Sequence, residues 1–158
     1  LSLAWRIGTD APDYTADDLT GVGAELTGGR WNRKGTRMVY AASSPALACL
    51  ETIVHLNAGD LPLNRYLVQL DIPDRLIKAA FWFDPITHVG WDAIPAGQVS
   101  LDAGERWVKG GASAVMIVPS VIVLEEVNYL INPKHADARK ISTKKIRKWA
   151  YDMRLRPS

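Results

Sequence analysis

Apolar residues recur at helical spacing in one segment above all others. Between Ser44 and Leu56, the side chains Leu47, Cys49, Leu50, Ile53, Val54 and Leu56 cover most of the circumference of a helix turning about 100° per residue. Ser44 supplies the side-chain acceptor that an N-cap needs, and Pro45 suits a first turn, where its missing N–H is not required. Asn57-Ala58-Gly59 marks the expected stop. A helix apolar nearly all round is expected to be buried. Its one narrow polar strip is Glu51, Thr52 and His55. That strip either faces water or carries a function, because a buried carboxylate without partners is costly.

Elsewhere the alternation has period two. Arg65 to Ile72 alternates strongly and is closed by Pro73-Asp74, which predicts a strand. Trp5-Arg6-Ile7, Thr36 to Ala41, and Glu126 to Ile131 read as further strands. Two apolar runs, Ala112 to Val118 and Val121 to Leu124, flank Pro119-Ser120, where a turn or bulge is expected. Asp102 to Val108 predicts a short helix ended by Gly110-Gly111. Asp10 to Thr27 reads as irregular with helical potential near Ala16 to Leu19, and Phe81 to Val99 as mostly loop. Lys144 to Tyr151 fits either a strand or a helix. Strands gathered around one prominent helix predict an α+β domain rather than a doubly wound one. With 158 residues and neither repeat nor linker, a single domain over 1–158 is expected.

Composition narrows the class. Apolar residues make up 47% and charged residues 23%, as in an ordinary globular protein. No apolar run approaches the roughly 20 residues of a membrane helix. Leu1 to Arg6 has none of the regions of a signal peptide. The lone Cys49 excludes an internal disulfide, suits a reducing cytoplasm, and lies at an apolar helix position that makes it a core residue. Charge is uneven: nine Lys/Arg against two Asp from Lys134 onward, but ten basic against fifteen acidic before it. The basic tail is either a solvated surface or an attractor of an acidic or phosphorylated partner. A net charge of +2 does not by itself indicate a nucleic-acid binder.

Familiar catalytic signatures are missing. There is no Walker loop, dinucleotide fingerprint or Gly-x-Ser-x-Gly elbow. His55, His88 and His135 lack metal-ligand spacing, so no metal site is expected.

Several motifs in order carry a resemblance. They are Gly29-Arg30-Trp31-Asn32, Val39-Tyr40, Leu50-Glu51 through His55-Leu56, Val118-Pro119-Ser120, Glu126 to His135, and Tyr151 to Leu155. Together they resemble the RES domain family from near Trp5 to near Leu155, with Arg30, Glu51 and Ser120 as the Arg, Glu and Ser of its name. The resemblance implies a fold similar to ADP-ribosyltransferases, with a central sheet and flanking helices. It implies a cytoplasmic toxin of a bacterial type II toxin–antitoxin pair that acts on NAD⁺ by hydrolysis, phosphorolysis or ADP-ribosyl transfer to a protein. It also implies an Xre-like antitoxin partner.

The residue types fit such chemistry. Cleaving the nicotinamide–ribose bond of NAD⁺ needs no proton donor, because the leaving ring is already cationic. Charge develops on the ribose, where one rigidly held carboxylate stabilises it or orients the acceptor; Glu51 is the candidate. The planar fork of Arg30 suits a pyrophosphate, and an ion-paired surface Arg is the plain alternative. Tyr40 offers a ring face and a hydroxyl to nicotinamide, or is a core Tyr. Ser120 is either a ligand donor to ribose or nicotinamide, or a turn serine. His55, one turn past Glu51, either orients it, touches the ligand, or sits at the core edge. Trp31 lines the pocket or, by preference, anchors its strand. Asn128 and Asn132 are expected to satisfy backbone groups near a turn. Two other classes remain open on the residues alone: a small basic ribosome-dependent nuclease and a non-catalytic interaction module.

Overall fold

The structure is a computed structural model that describes residues 1–56 and 62–155. Its strands are β1 (Ser2–Thr9), β2 (Val39–Ala42), β3 (Arg65–Ile72), β4 (Phe81–Trp82), β5 (Val115–Pro119), β6 (Val127–Ile131) and β7 (Ser142–Lys148). The α-helices are α1 (Val22–Thr27), α2 (Pro45–Ile53), α3 (Asp74–Lys78) and α4 (Gln98–Gly110). All seven strands form one sheet in the order β4-β5-β6-β2-β1-β3-β7. Only β4 and β5 run parallel; the other neighbours are antiparallel. This is the α+β architecture that the alternation predicts.

The sheet has a weak line. β1 pairs with β3 along its whole length, from Ser2–Ile72 to Thr9–Arg65. Its pairing with β2, by contrast, is a single register pair, Trp5–Ala42. Strands β4-β5-β6-β2 and β1-β3-β7 therefore meet at one pair, and a seam opens beside it.

Strand alternation sorts the core onto two faces. Ala4, Val39, Val68, Leu70, Ile72, Val115, Ile117 and Ile131 form one face, covered by Ala16, Leu76 and Ile141. The opposite face carries two separate clusters. Met116, Val118 and Leu130 pack under Trp31, Phe83, Trp91, Ala103 and Trp107. Ile7, Ala42 and Leu67 pack under Leu47, Ala48 and Cys49 of α2, together with Tyr151. The boundary between those clusters crosses β2, where Tyr40 packs with the first and Ala42 with the second.

Local chemistry sets α2. Ser44 Oγ accepts from the Leu47 N–H at 3.1 Å, and Pro45 occupies the first turn. The helix is less enclosed than its apolar pattern predicts: Leu47, Ala48 and Cys49 are buried, but Val54 is 59% exposed. It ends at Ile53 and passes into a turn through His55; the expected stop at Asn57-Ala58-Gly59 lies outside the described residues. Cys49 is a core thiol whose pKa burial pushes up.

Other expectations shift for identifiable reasons. Val121 to Leu124 forms no strand, because Ser120 Oγ takes the N–H groups of Ile122 and Val123 and turns the chain. The helix expected near Ala16 to Leu19 forms later, as α1, while Asp10 Oδ1 accepts the Ala16 N–H at 2.8 Å. Phe81 to Val99 contains the short strand β4, and α3 follows Pro73 unannounced by the pattern. The basic tail supplies the edge strand β7. Its lysines discourage edge-to-edge pairing.

Lys145 of β7 lies 4.0 Å over the Tyr66 ring and bridges Asp10 at 3.0 Å. Asp10 thereby ties the Ala16 segment to β7. The Ala16 N–H, and then Lys145, hold the Asp10 pKa below the usual carboxylate range, while Asp10 raises that of Lys145. A depressed carboxylate contributes stability above its unfolded pKa and loses it as pH falls through the folded value. A raised lysine loses its share as pH rises through its own. Hydrogen-exchange protection of the Ala16 amide is therefore expected to persist through neutral pH. It should fall in acid before the strand amides of β3 lose theirs. Simultaneous loss at both places would show that Asp10 does not secure this segment.

Candidate active site

Glu51 lies on the flank of α2 that borders the seam. Its Oε1 accepts from Ser120 Oγ at 2.7 Å and from Asn128 Nδ2 at 3.0 Å. Oε2 has no protein hydrogen bond among the described residues. The polar strip of α2 is thus not simply solvated: Thr52 Oγ1 also donates to the Cys49 carbonyl and shares a hydrogen bond of 2.7 Å with Tyr151 Oη.

Ser120 is fully buried. Its hydroxyl donates to Glu51 and accepts from the N–H groups of Ile122 and Val123, each at 3.1 Å. One donor and two lone pairs are all that a hydroxyl has. Ser120 in this arrangement orients the carboxylate and shapes the following loop. Asn132 behaves as the sequence suggests, donating to the Val108 carbonyl and accepting from the Lys134 N–H. Asn128 does not: its amide faces Glu51, because alternation along β6 points it to the seam rather than to a turn.

Arg30 sits on a tight turn closed by the Gly29 N–H to the Asn32 carbonyl at 2.9 Å. Asn32 is the hub beneath it, fully buried, with Nδ2 donating to the carbonyls of Ala24, Arg33 and Thr36. Its Oδ1 accepts from Tyr40 Oη at 2.6 Å, and that same Tyr40 oxygen accepts the Trp31 N–H at 3.1 Å. Burial holds the Tyr40 phenol far above its ordinary pKa, so it remains a neutral donor. The hydroxyl of Tyr40 secures the turn, and its half-buried ring stands on the seam face of β2.

Helix α4 fixes the other side of the turn. Ser100 Oγ donates to the Arg30 carbonyl at 2.8 Å, and Glu105 accepts from the Arg33 N–H and the Thr36 hydroxyl, each at 2.8 Å. A Cβ placed on Gly104 would stand 1.8 Å from the Trp31 carbonyl oxygen. Only glycine permits that approach. The Trp31 ring is buried, edge-on to Phe83 at 4.8 Å and stacked on Trp91 at 6.1 Å, so it anchors.

Arg30 Nη1 donates to the carbonyls of Trp91 and Ala93 at 3.1 and 2.8 Å. Its Nε and Nη2 edge makes no protein hydrogen bond among the described residues, which leaves the side suited to bidentate anion contact. His55 is exposed in the turn after α2 rather than on the helix itself. A contiguous series of residues results: Arg30 and Trp31, then Tyr40 on β2, then Asn128 diagonally across on β6, then Glu51 and Ser120. Two open concavities of about 490 and 320 Å³ lie elsewhere, around Leu19 and Pro133 beyond the other sheet face, and hold no such carboxylate.

Sequence reasoning quoted Asn32 without a role, expected Asn128 to satisfy backbone groups near a turn, and missed the Ser100–Gly104 face of α4. Asn32 follows directly on the Gly-Arg-Trp turn, and a buried Asn beside a tight turn is a signal of a backbone hub. Nothing local in the sequence marks the pairing of Asn128 with Glu51.

A mixed seven-stranded sheet with a carboxylate hydrogen-bonded across its face and an arginine on a braced turn defines a small α+β protein. The RES domain model matches residues 3–154, and the chain belongs to that family. It is 58% identical over 152 residues to a Prs ADP-ribosylating toxin of Sphingobium sp. (strain YBL2), covering 96% of this chain and 94% of that one. It is 36% identical over 147 residues to Toxin Res of Yersinia enterocolitica, covering 90% and 93%. Among solved structures, the M. tuberculosis MbcT–MbcA toxin–antitoxin complex contains a chain of like fold, with a TM-score of 0.56 at 15% identity, covering 92% of this chain and 84% of that one.

The approach of α4 to the turn gives a direct test. Gly104→Ala is expected to push α4 off the Trp31 backbone and to destabilise the fold by about 1–3 kcal/mol, the usual range for overpacking. Denaturant unfolding measures it. An unchanged midpoint would mean that α4 and the turn are not in contact.

Proposed function

We propose that this chain is the toxin of a bacterial type II toxin–antitoxin pair and consumes NAD⁺ by breaking its nicotinamide–ribose bond. The observation that carries the reading is Glu51: two donors hold one carboxylate oxygen and leave the other without a protein partner among the described residues. Membership of the RES family supports it, as do relatives described as toxins, one of them as ADP-ribosylating.

In this reading the Nε–Nη2 edge of Arg30 binds the pyrophosphate. The Tyr40 ring lies against the nicotinamide end. The bond from the ribose anomeric carbon to the ring nitrogen breaks, and its electron pair leaves with nicotinamide as a neutral molecule. Glu51 Oε2 faces the positive charge that develops on the ribose, and its fixed orientation makes that stabilisation effective. The acceptor oxygen or nitrogen then bonds to the same carbon and releases its proton to solvent. Water, phosphate and a protein side chain are all chemically competent. The Sphingobium relative favours a protein acceptor.

An NAD⁺-consuming protein endangers its own cell, so an Xre-like antitoxin covering the Arg30–Tyr40–Glu51 cleft completes the proposal; the MbcT–MbcA complex supports such a pairing. A cytoplasmic location goes with it, and no described helix is long and apolar enough to cross a membrane.

Glu51→Gln keeps the shape and removes the charge. It is expected to lower NAD⁺ turnover about 10²–10³-fold, the typical effect of losing one electrostatic stabiliser. Product analysis with and without phosphate and cell extract distinguishes ADP-ribose, its phosphate ester and labelled protein. Near-normal turnover in a folded Glu51→Gln protein would remove Glu51 from the chemistry.

Arg30→Lys keeps a cation but loses the planar edge. KM for NAD⁺ is expected to rise with kcat little altered, as follows when ground and transition states lose the same contact. An unchanged KM with collapsed kcat would move Arg30 to the reacting centre.

A further inference from the structure

We propose that Asn128 is a positioning residue for the Glu51 carboxylate, kept at a sheet position that an apolar side chain would fill better. The proposal rests on the reading of Glu51 as the group that acts on the substrate.

The cross-strand neighbours of half-buried Asn128 are apolar. Across the seam face, Val118, Asn128, Ala42 and Trp5 stand in one register row over β5, β6, β2 and β1. The two ends of the Asn128 amide fare differently in that row. Nδ2 donates to Glu51 Oε1 at 3.0 Å. Oδ1 is sealed from solvent and has no hydrogen-bond partner among the described residues. Turning the amide over does not relieve this, since it would set Oδ1 against a carboxylate oxygen, acceptor against acceptor. The residue therefore leaves a buried carbonyl unpaired in order to give Glu51 one N–H. Stability alone favours a hydrocarbon there. Side chains that break local rules in this way concentrate at functional sites.

The geometry shows what the N–H achieves. The terminal torsion of a glutamate is broad and weakly restrained. Ser120 alone would hold Oε1 at one point and let the carboxylate plane swing. A second donor on the same oxygen, from a different strand end, fixes the plane and leaves Oε2 as the free atom. Ser120 sets where the carboxylate sits, and Asn128 sets which way its free oxygen points.

Asn128→Val and Asn128→Asp test this against wild type. For Asn128→Val, Tm is expected to equal or exceed that of wild type. Its kcat should fall about 10- to 100-fold, the scale of a modest misplacement of a reacting group. KM should change less than about 2-fold, because substrate binding does not use the amide. Asn128→Asp sets a second carboxylate against Glu51. At neutral pH the two repel; in acid the pair shares one proton, which restores an O–H donor to Glu51. Its turnover relative to wild type should therefore climb as pH falls.

Growth arrest on expression in bacteria provides a reading that assumes no substrate. If the wild type arrests growth without consuming NAD⁺, the proposed chemistry fails while the Asn128 comparison is still decided on growth. A folded Asn128→Val with wild-type turnover and toxicity overturns the positioning role. So does an Asn128→Asp pH profile parallel to that of wild type, which decides the matter if Asn128→Val does not fold. A wild-type chain inactive in both assays overturns both proposals.

Discussion

Glu51 stands over the line where the two parts of the sheet are joined by one register pair. Its helix belongs to the cluster on β1 and β3, whereas Ser120 and Asn128 belong to the end of β5 and the start of β6. Backbone pairing between those parts is the single Trp5–Ala42 pair. The hydrogen bonds from Ser120 and Asn128 to Glu51 cross from one part to the other and fix where the carboxylate sits. The proposed site and these hydrogen bonds coincide: the carboxylate proposed to act on the ligand stands over the line where the sheet is joined by one register pair.

The arginine side of the cleft is built by a different means. Arg30 itself contributes little to holding its turn. Asn32 from below, Tyr40 from β2 and the Ser100–Glu105 face of α4 consume nearly every polar group of the 30–36 segment. Such networks are costly when half satisfied and rigid when complete. One edge of the Arg30 guanidinium is left without a protein partner among the described residues. On the proposed reading, rigidity on the arginine side and two donors on the glutamate side set the distance that NAD⁺ spans.

Legibility in the sequence followed the range of the interactions. Ser44-Pro45 fixed the start of α2, and the alternation of Arg65 to Ile72 gave β3 to the residue, because both depend on neighbours in the chain. The motifs from Gly29 to Ser120 named Glu51 and Ser120, which the structure joins by a hydrogen bond. Val54 was misjudged because a helix pattern cannot tell that one flank meets no neighbour. The turn expected at Pro119-Ser120 is there, and the Ser120 hydroxyl accepts from the N–H groups of Ile122 and Val123 within the apolar run that follows. Asn128 looked like a turn residue because its partner lies 77 positions earlier in the chain. Short-range capping was readable; contacts closed by sheet topology were not.

The same separation has a consequence for biosynthesis. Helix α2 has nine residues, too few to persist alone in water, and the donors to Glu51 come 69 and 77 positions later. A chain stalled or cut before Ser120 carries the glutamate with neither of its donors and no β6 to face. During translation the two donors can reach Glu51 only after Asn128 has left the ribosome. On the proposed reading, the carboxylate therefore gains its working orientation only once β5 and β6 have joined the sheet.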